Sequence, residues 1–218
     1  MAFPETVAIA THNAHKLREL GRICEDWPVT WATVRDRDPA GFPDVEETGD
    51  TYLENALLKA HAVAAASHLP AMADDSGIEV DALGGKPGPR SARFAGEDAT
   101  DEENLAALMR ALKGIPGAGR SARYRCVAAL AFPDGRILHA EGVCEGTLEP
   151  KRRGDGGFGY DPIFVPEGWD ETMAELTPEQ KDRISHRGRA FRALRALLEA
   201  DGDAAPMGPG PGFLPDSR

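Results

Sequence analysis

Two adjacent carboxylates directly after a short apolar run constrain this chain more than any other feature, and they open a segment that spans residues 73–96. The run at residues 69–73 has the length and composition of a buried strand. Because a β-strand directs adjacent side chains to opposite faces, Asp74 and Asp75 cannot both point into one core. We expect residues 76–77 to turn the chain, so that this strand end presents one or both carboxylates to a metal ion.

A loop rich in glycine and proline follows at residues 84–89, with Arg90 and Arg93 beside it and Ser91 between them. Hard divalent cations such as Mg²⁺ prefer oxygen ligands and are often held by one or two carboxylates together with substrate phosphates. Carboxylates, a hydroxyl, glycines and arginines in one short segment therefore suit a site that handles phosphate. An ordinary turn beside a surface loop explains the same residues, so this segment alone leaves both interpretations open.

The composition indicates a globular protein, since 41% of the 218 residues are hydrophobic. We expect one domain over residues 1–200 and a disordered tail rich in glycine and proline over 201–218. No apolar run approaches the roughly 20 residues that a membrane-spanning helix needs, and the N-terminus lacks the basic segment of a signal peptide. We therefore expect a cytoplasmic protein whose three cysteines are reduced and buried.

The formal net charge of −11 argues against a nucleic-acid-binding module, because affinity for a phosphate backbone comes mainly from lysine and arginine. A free nucleotide remains compatible with the net charge, since a bound metal and a local basic cluster reverse the electrostatic potential inside a cleft.

Near the N-terminus, a strand pattern at residues 6–10 leads through a polar loop into a helical pattern. Thr11 or Asn13 can cap that helix, whose N-terminus suits a phosphate. Lys16 opposes the helix dipole there and is either a phosphate contact or an ordinary exposed lysine.

The rest of the chain alternates between strand and helix patterns. Predicted strands cover residues 29–34, 121–132, 136–144 and 163–165. A capped helix is predicted over residues 51–67, and two more capped helices begin at Thr100 and at Thr177. A final helix is predicted around Phe191. A second glycine-rich loop at residues 154–162 places Phe158 or Tyr160 to stack on a base, although a tight turn with core aromatics is equally compatible. Glu46 and Glu47 are either solvated loop charges or additional metal ligands.

Five segments occur in a fixed order: ATHNAHK at 10–16, VEETGDTYLENALLKA at 45–60, ADDSGIEVDALGGKPGPRSARFAG at 73–96, GGFGYDPIF at 156–164 and ISHRGRAF at 184–191. Together they resemble the inosine triphosphate pyrophosphatase family, the Ham1-type or RdgB-type enzymes, over about residues 7–198. The resemblance implies an α/β fold, with an elongated mixed β-sheet, flanking helices and two lobes around a central nucleotide-binding cleft. It also implies a homodimer that hydrolyses ITP, dITP and XTP to the monophosphate and pyrophosphate with Mg²⁺, keeping deaminated bases out of DNA and RNA.

The resemblance assigns roles to individual residues. Asp75 matches the catalytic proton acceptor, and Asp74, Asp75, Glu46 and Glu47 match metal positions, without a choice between the two glutamates. Residues matching substrate contacts are Thr11, His12, Asn13, Ala14, His15, Lys16, Lys59, Ser76, Phe158, Gly159, Tyr160, Asp161, Lys181, His186 and Arg187. Many relatives have glycine where this chain has His12 and His15, which puts the phosphate contacts of that loop in question.

Other functions are compatible with parts of the pattern. A pyrophosphatase for modified pyrimidine or methylated nucleotides would differ around residues 156–187. A nucleotide sensor that has lost catalysis would have less need of Asp74, Asp75 and the glutamate pair. A Nudix hydrolase is not supported, because its glutamate-rich helix motif is absent from the sequence.

Overall fold

The computed structural model describes residues 3–33 and 42–203, in which six strands form one mixed sheet in the order β2-β1-β3-β4-β5-β6. The strands are β1 (Thr6–Ile9), β2 (Thr30–Ala32), β3 (Ala71–Val80), β4 (Ser121–Ala131), β5 (Ile137–Leu148) and β6 (Phe164–Pro166). The helices are α1 (Ala14–Ile23), α2 (Tyr52–Ser67), α3 (Asp101–Ala111), α4 (Pro178–Ile184) and α5 (His186–Asp203). The predicted α/β class is therefore confirmed.

The sheet changes character at β3. The short strand β1 runs parallel to both β2 and β3, whereas β3, β4, β5 and β6 pair antiparallel in succession. The predicted hairpin is confirmed, since β4 and β5 pair from Ser121↔Thr147 to Ala131↔Ile137. A parallel, helix-connected half and an antiparallel half thus share one continuous sheet.

The prediction that residues 76–77 turn the chain is wrong, because β3 continues through them to Val80. Asp74, Asp75 and Gly77 pair with Ala128, Val127 and Arg125 of β4, a partner some fifty residues away along the chain. A Cβ at Gly77 would overlap the backbone oxygen of Gly88, so this glycine allows a close approach of two backbones rather than a turn. The two carboxylates consequently lie in the middle of a strand.

Side-chain caps begin the helices at the predicted positions. The Asn13 side chain accepts hydrogen bonds from the backbone N–H groups of His15 and Lys16, at 2.8 and 3.2 Å. Complete capping boxes join Thr51 to Glu54, Thr100 to Glu103 and Thr177 to Gln180. Each cap satisfies donors that the first helical turn leaves free, which fixes where the helix starts.

Hydrophobic residues cover both faces of the sheet and extend to its far end. Phe191 and Leu194 of α5 pack with α1 on one face, whereas Ala60 and Val63 of α2 pack on the other. A separate cluster includes Leu108 of α3, Ile163 and Phe164, and it surrounds the antiparallel half of the sheet. The cysteines Cys24, Cys126 and Cys144 are free and buried, as expected.

Two predicted segments lie partly outside the described residues. Residue 34 of the second predicted strand is not described, and neither are residues 204–218, most of the predicted tail. The first three tail residues, 201–203, belong to α5. Among the described helices, none combines the length and apolar character needed to cross a membrane.

Candidate active site

A cavity of about 290 Å³ lies between the N-terminus of α1, the middle of β3, the second glycine-rich loop and the α4–α5 junction. The predicted site residues that line it are Thr11, His12, Asn13, Lys16, Glu47, Lys59, Asp75, Ser76, Phe158, Gly159, Tyr160, Asp161, Lys181, His186 and Arg187. Four other predicted residues, Ala14, His15, Glu46 and Asp74, do not line it. The fold therefore brings residues from five separate segments to one cleft.

The two adjacent aspartates point to opposite faces of β3, as their positions in a strand require. Both are buried, with 1% of Asp74 and 3% of Asp75 exposed, because helices cover both faces of the sheet. Only Asp75 faces the cavity. The predicted metal role therefore fits Asp75 and does not fit Asp74.

Asp74 does not line the cavity but holds two basic side chains that do, Lys16 and Arg187. One of its oxygens, Oδ2, lies 3.1 Å from Lys16 Nζ and 3.1 Å from Arg187 Nη2, and accepts a hydrogen bond from Ser76 Oγ at 3.3 Å. Burial alone would raise the pKa of Asp74, but Lys16 and Arg187 outweigh it and hold the pKa well below its usual range. This carboxylate supplies the anionic neighbour that Lys16 needs in the first turn of α1.

The opposite face carries the carboxylates that fit a metal. Lys59 Nζ lies 2.6 Å from Glu47 Oε1 and 3.5 Å from Asp75 Oδ1, and Asn55 Nδ2 donates to Asp75 Oδ2 at 3.2 Å. Burial raises the pKa of Asp75, and the nearby Glu47 acts in the same direction. Glu46, in contrast, is exposed and lies outside the cavity lining.

The donor set suits a hard cation that is shared with a substrate. Within the described part of the chain, no group of three or more His, Cys, Asp or Glu side chains is placed to hold a metal alone. Two carboxylates beside an open cavity match the way Mg²⁺ is commonly bound, with the remaining positions filled by phosphate oxygens and water. Asp75 and Glu47 therefore fit the implied Mg²⁺, provided that a phosphate completes its coordination.

A second set of charges lies at the other end of the cavity. Lys181 Nζ contacts Asp161 Oδ2 at 2.5 Å and Glu19 Oε1 at 2.7 Å, and Arg187 also pairs with Glu19. Burial alone would lower the pKa of Lys181, but Asp161 and Glu19 outweigh it and raise the pKa above its usual range. Lys16 and Lys181, two of the three lysines that line the cavity, are thus held in place by buried carboxylates.

Aromatic rings enclose this end of the cavity. Tyr124 stacks on His186 with ring centroids 4.5 Å apart, and its hydroxyl donates to Asp161 Oδ1 at 3.2 Å. The centroid of the Phe158 ring lies 5.0 Å from Lys181 Nζ and 5.1 Å from the centroid of the His15 ring. His15 therefore contacts the glycine-rich loop and does not line the cavity, whereas His12 does.

The second glycine-rich loop is held by the same carboxylate that pairs with Lys181. The N–H of Phe158 donates to Asp161 Oδ2 at 2.8 Å. Gly157 has a φ of 72°, and a Cβ there would overlap that carboxylate oxygen. Glycine at this position therefore permits both the backbone conformation and the close approach of Asp161.

The sequence analysis did not identify Glu19 and Asn55, which are buried and contact predicted site residues. Arg93, which the sequence analysis placed beside the glycine- and proline-rich loop, donates to the backbone oxygen of Glu47 at 2.8 Å. Glu19 has a signal in the sequence, because it lies three residues after Lys16 and so shares a helix face with it. Its partners, Lys181 and Arg187, are far away in the sequence, and no local pattern identifies them.

The order of these segments along the chain matches a described family. A model of the Ham1 family matches residues 7–197. The chain belongs to the Ham1 family. The match covers the described sheet except for the first residue of β1, includes every residue that lines the cavity, and ends within α5. The expected family membership is therefore confirmed.

Curated relatives share close to half of their residues with this chain. A dITP/XTP pyrophosphatase of Streptomyces coelicolor is 52% identical over 186 residues, which cover 85% of this chain and 93% of the relative. A dITP/XTP pyrophosphatase of Bacillus subtilis is 44% identical over 201 residues, covering 92% of this chain and 100% of the relative.

Solved structures of Ham1 proteins have the same fold. The Staphylococcus aureus Ham1 protein superposes with a TM-score of 0.78 at 40% identity, over 90% of this chain and 99% of that one. A HAM1 protein from Coxiella burnetii gives a TM-score of 0.79 at 39% identity, over 89% and 98% of the two chains. The mixed sheet with flanking helices is therefore the architecture of the family.

Proposed function

We propose that this chain hydrolyses deaminated purine nucleoside triphosphates, such as ITP, dITP and XTP, to the monophosphate and pyrophosphate. The observation that carries the proposal is one cavity with two chemically distinct ends. Lys16, Lys59, Glu47 and Asp75 stand at the first end, and aromatic rings with hydrogen-bond donors enclose the second. Curated relatives that carry the name dITP/XTP pyrophosphatase support the substrate class.

We infer that Mg²⁺ serves this reaction and that Asp75 and Glu47 hold it. When bound, the ion would neutralise the charge of the phosphate oxygens, which is the main requirement of phosphoryl transfer. Without the ion, Lys59 Nζ pairs with Glu47 Oε1 at 2.6 Å and Asp75 Oδ1 at 3.5 Å. With the ion bound to these carboxylates, the Lys59 ammonium would be free to contact phosphate.

Asp75 is suited to accept the proton of the attacking water. Its carboxylate faces the cavity, within reach of a water molecule bound beside the phosphates, and burial raises its pKa in the metal-free protein. Asn55 holds one oxygen of the carboxylate at 3.2 Å, and Lys59 lies 3.5 Å from the other, so the side chain has a fixed orientation. Water deprotonated here would attack the α-phosphorus and expel pyrophosphate.

Side chains provide most of the contacts for the leaving pyrophosphate. Asn13 already accepts hydrogen bonds from the N–H groups of His15 and Lys16, so two donors of the first helical turn are occupied. The ammonium groups of Lys16 and Lys59 both line the cavity. They would stabilise the developing negative charge as the bond to the α-phosphorus breaks.

The second end of the cavity can select a 6-oxo purine. An ammonium group has three donors, and Lys181 uses two of them on Asp161 and Glu19, so its third can reach a 6-oxo acceptor. Adenine presents a 6-amino donor instead and would leave this third donor of Lys181 without a partner. Sites that lose a hydrogen-bond partner in this way can discriminate by roughly 10⁴-fold.

The family resemblance supports three further proposals. We propose that residues 1–200 act as one domain, that the protein is a homodimer, and that it works in the cytoplasm. We also propose that it forms no stable complex with nucleic acid, because its net charge is −11.

The test is to incubate the purified protein with ITP, GTP and ATP, with and without Mg²⁺, and to resolve the nucleotide products while assaying pyrophosphate. We expect IMP and pyrophosphate from ITP, only with the metal, and little product from ATP, which lacks the 6-oxo acceptor. Little product is also expected from GTP, whose rejection has to depend on its 2-amino group because it carries the same 6-oxo acceptor as ITP. IDP and phosphate would contradict the proposed cut. Tight ITP binding without turnover would instead indicate a nucleotide sensor.

A further inference from the structure

The first helix carries three charged residues on one face, and each of them pairs with a charged residue of another strand or helix. Lys16, Glu19 and Arg22 are spaced three residues apart, which places them along one side of α1. Lys16 pairs with Asp74 of β3, and Glu19 pairs with Lys181 of α4. The third residue, Arg22, lies outside the cavity lining and has no role in the chemistry above.

Arg22 binds the residue that follows Lys181 in the sequence. Its Nε lies 2.6 Å from Asp182 Oδ2 and its Nη2 lies 3.1 Å from Oδ1, a two-point contact between α1 and α4. Two-point pairs of guanidinium and carboxylate fix relative orientation as well as distance. The side chain of Asp182 is 12% exposed and that of Arg22 is 37% exposed, so the contact lies at the rim of the helix interface.

The backbone of Asp182 is held from the opposite side by α5. Its carbonyl oxygen accepts a hydrogen bond from Arg192 Nη1 at 3.0 Å. A Cβ at Gly188 would overlap that same oxygen, so α5 passes directly against it. Asp182 is therefore the point at which α1, α4 and α5 meet, one residue from the lysine that faces the cavity.

We propose that the Arg22–Asp182 pair is a positioning clamp that fixes α4 against α1 and so sets the placement of Lys181 relative to Lys16. The clamp rests on the proposed function, because those two lysines serve the base end and the phosphate end of one nucleotide. Neither clamp residue touches the substrate. The clamp acts on the end of the cavity that recognises the base and leaves Lys16, Asp74 and Lys59 undisturbed.

The test compares Arg22→Gln and Asp182→Asn with the conservative variant Arg22→Lys and a matched control, Asp26→Asn. Asp26 pairs with Arg195 of α5 at 2.5 Å, so it joins the segment that follows α1 to another helix, and neither residue lines the cavity. For each variant, KM and kcat for ITP and inhibition by inorganic tripolyphosphate are measured, together with amide hydrogen exchange in α4.

We expect Arg22→Gln and Asp182→Asn each to raise the KM for ITP about tenfold, the scale of one charge-assisted hydrogen bond, with little change in kcat. Inhibition by tripolyphosphate should stay unchanged, since that probe occupies only the phosphate end. Amide hydrogen exchange in α4 should become severalfold faster in both variants. Arg22→Lys should have a KM and an exchange rate between those of the two variants and the wild type. Asp26→Asn should match the wild type in all these measurements.

Three results would overturn the clamp: kinetics in both variants equal to those of Asp26→Asn, equal losses for ITP and tripolyphosphate, or unchanged exchange in α4. The proposed function fails separately, if the wild-type protein releases no pyrophosphate from ITP. Exchange in α4 then still decides whether the pair holds the helix.

Discussion

At the scale of single residues, the two adjacent aspartates have different positions and different partners. Asp75 faces the cavity beside Lys59 and Asn55, whereas Asp74 sits on the other face and ties Lys16 to Arg187. Sequence motifs identified both residues, but their different roles follow from the face of β3 on which each lies. That face depends on helices α1, α2 and α5, which no local sequence pattern places.

The first prediction separates these roles by matched substitutions. Asp75→Asn should lower kcat on ITP by roughly 10²-fold to 10⁴-fold through loss of the proton acceptor, with a nearly unchanged melting temperature. Asp74→Asn should mainly lower the stability, by about 3–5 kcal/mol, because it removes the buried carboxylate charge that Lys16 and Arg187 share. Steady-state kinetics and thermal melting measure both effects. Normal turnover by Asp75→Asn would remove it from the mechanism.

A second prediction concerns the two ends of the cavity. Lys16→Ala should weaken the binding of ITP and ATP alike, because its ammonium lies at the phosphate end. Lys181→Ala should reduce the ITP-over-ATP ratio of kcat/KM, because it removes the donor proposed for the 6-oxo group. Competition assays with both nucleotides measure the ratio. The same loss for both nucleotides in Lys181→Ala would contradict its assignment to the base.

At the scale of elements, local sequence predicted where helices begin better than it predicted where strands end. Capping boxes at Thr51, Thr100 and Thr177 depend on residues three apart, so they are visible in the sequence. The full length of β3 depends on its pairing with β4, since Gly77 lies opposite Arg125. A Ser-Gly pair that resembles a turn therefore remains in a strand because a distant partner holds it there.

A third prediction tests the packing of α5 against the sheet. A Cβ at Gly142 of β5 would overlap the backbone of His186 and Ala190, so Gly142→Ala should force α5 away and cost about 1–3 kcal/mol of stability. It should also lower activity, since His186 and Arg187 begin that helix. The control Gly21→Ala, which meets no atom within 4 Å, should stabilise the protein by up to about 1 kcal/mol. Equal melting temperatures for the two variants would contradict this packing argument.

At the scale of the whole molecule, a buried network of charges joins the helices to the sheet around the cavity. Burial alone would raise the pKa of Glu19, but Arg187 and Lys181 outweigh it and lower the pKa to about 2 from 4.5. Because the unfolded chain takes up this proton first as the pH falls, Glu19 stabilises the fold fully above about pH 4.5. This contribution is lost as the pH falls toward about 2.

The fourth prediction follows from that linkage. In Glu19→Gln, the free energy of unfolding should be lower near pH 7 and should fall less steeply than in the wild type between about pH 4.5 and 2. Denaturant melts across this range measure the slope. Glu97→Gln, at an exposed glutamate outside the network, is the control and should follow the wild type. An equally steep slope in Glu19→Gln would show that this carboxylate does not carry the acid dependence.

The family, the fold class and most cavity residues could be predicted from the sequence, because five motifs occur in order along nearly the whole chain. The network that holds those residues could not. Glu19 reaches Lys181 and Arg187, and Arg22 reaches Asp182, across more than 150 residues of chain. Such pairs arise from the packing of α1 against α4 and α5, which is a property of the folded molecule.

The most direct test of the account is hydrolysis of ITP in water enriched in ¹⁸O, with mass spectrometry of both products. The account places the attack on the α-phosphorus, with Asp75 accepting the proton of the water and pyrophosphate leaving. It therefore predicts one ¹⁸O atom in IMP and none in the pyrophosphate. Label in pyrophosphate would mean attack at the β-phosphorus, and labelled phosphate with IDP would mean attack at the γ-phosphorus; either result would contradict the mechanism.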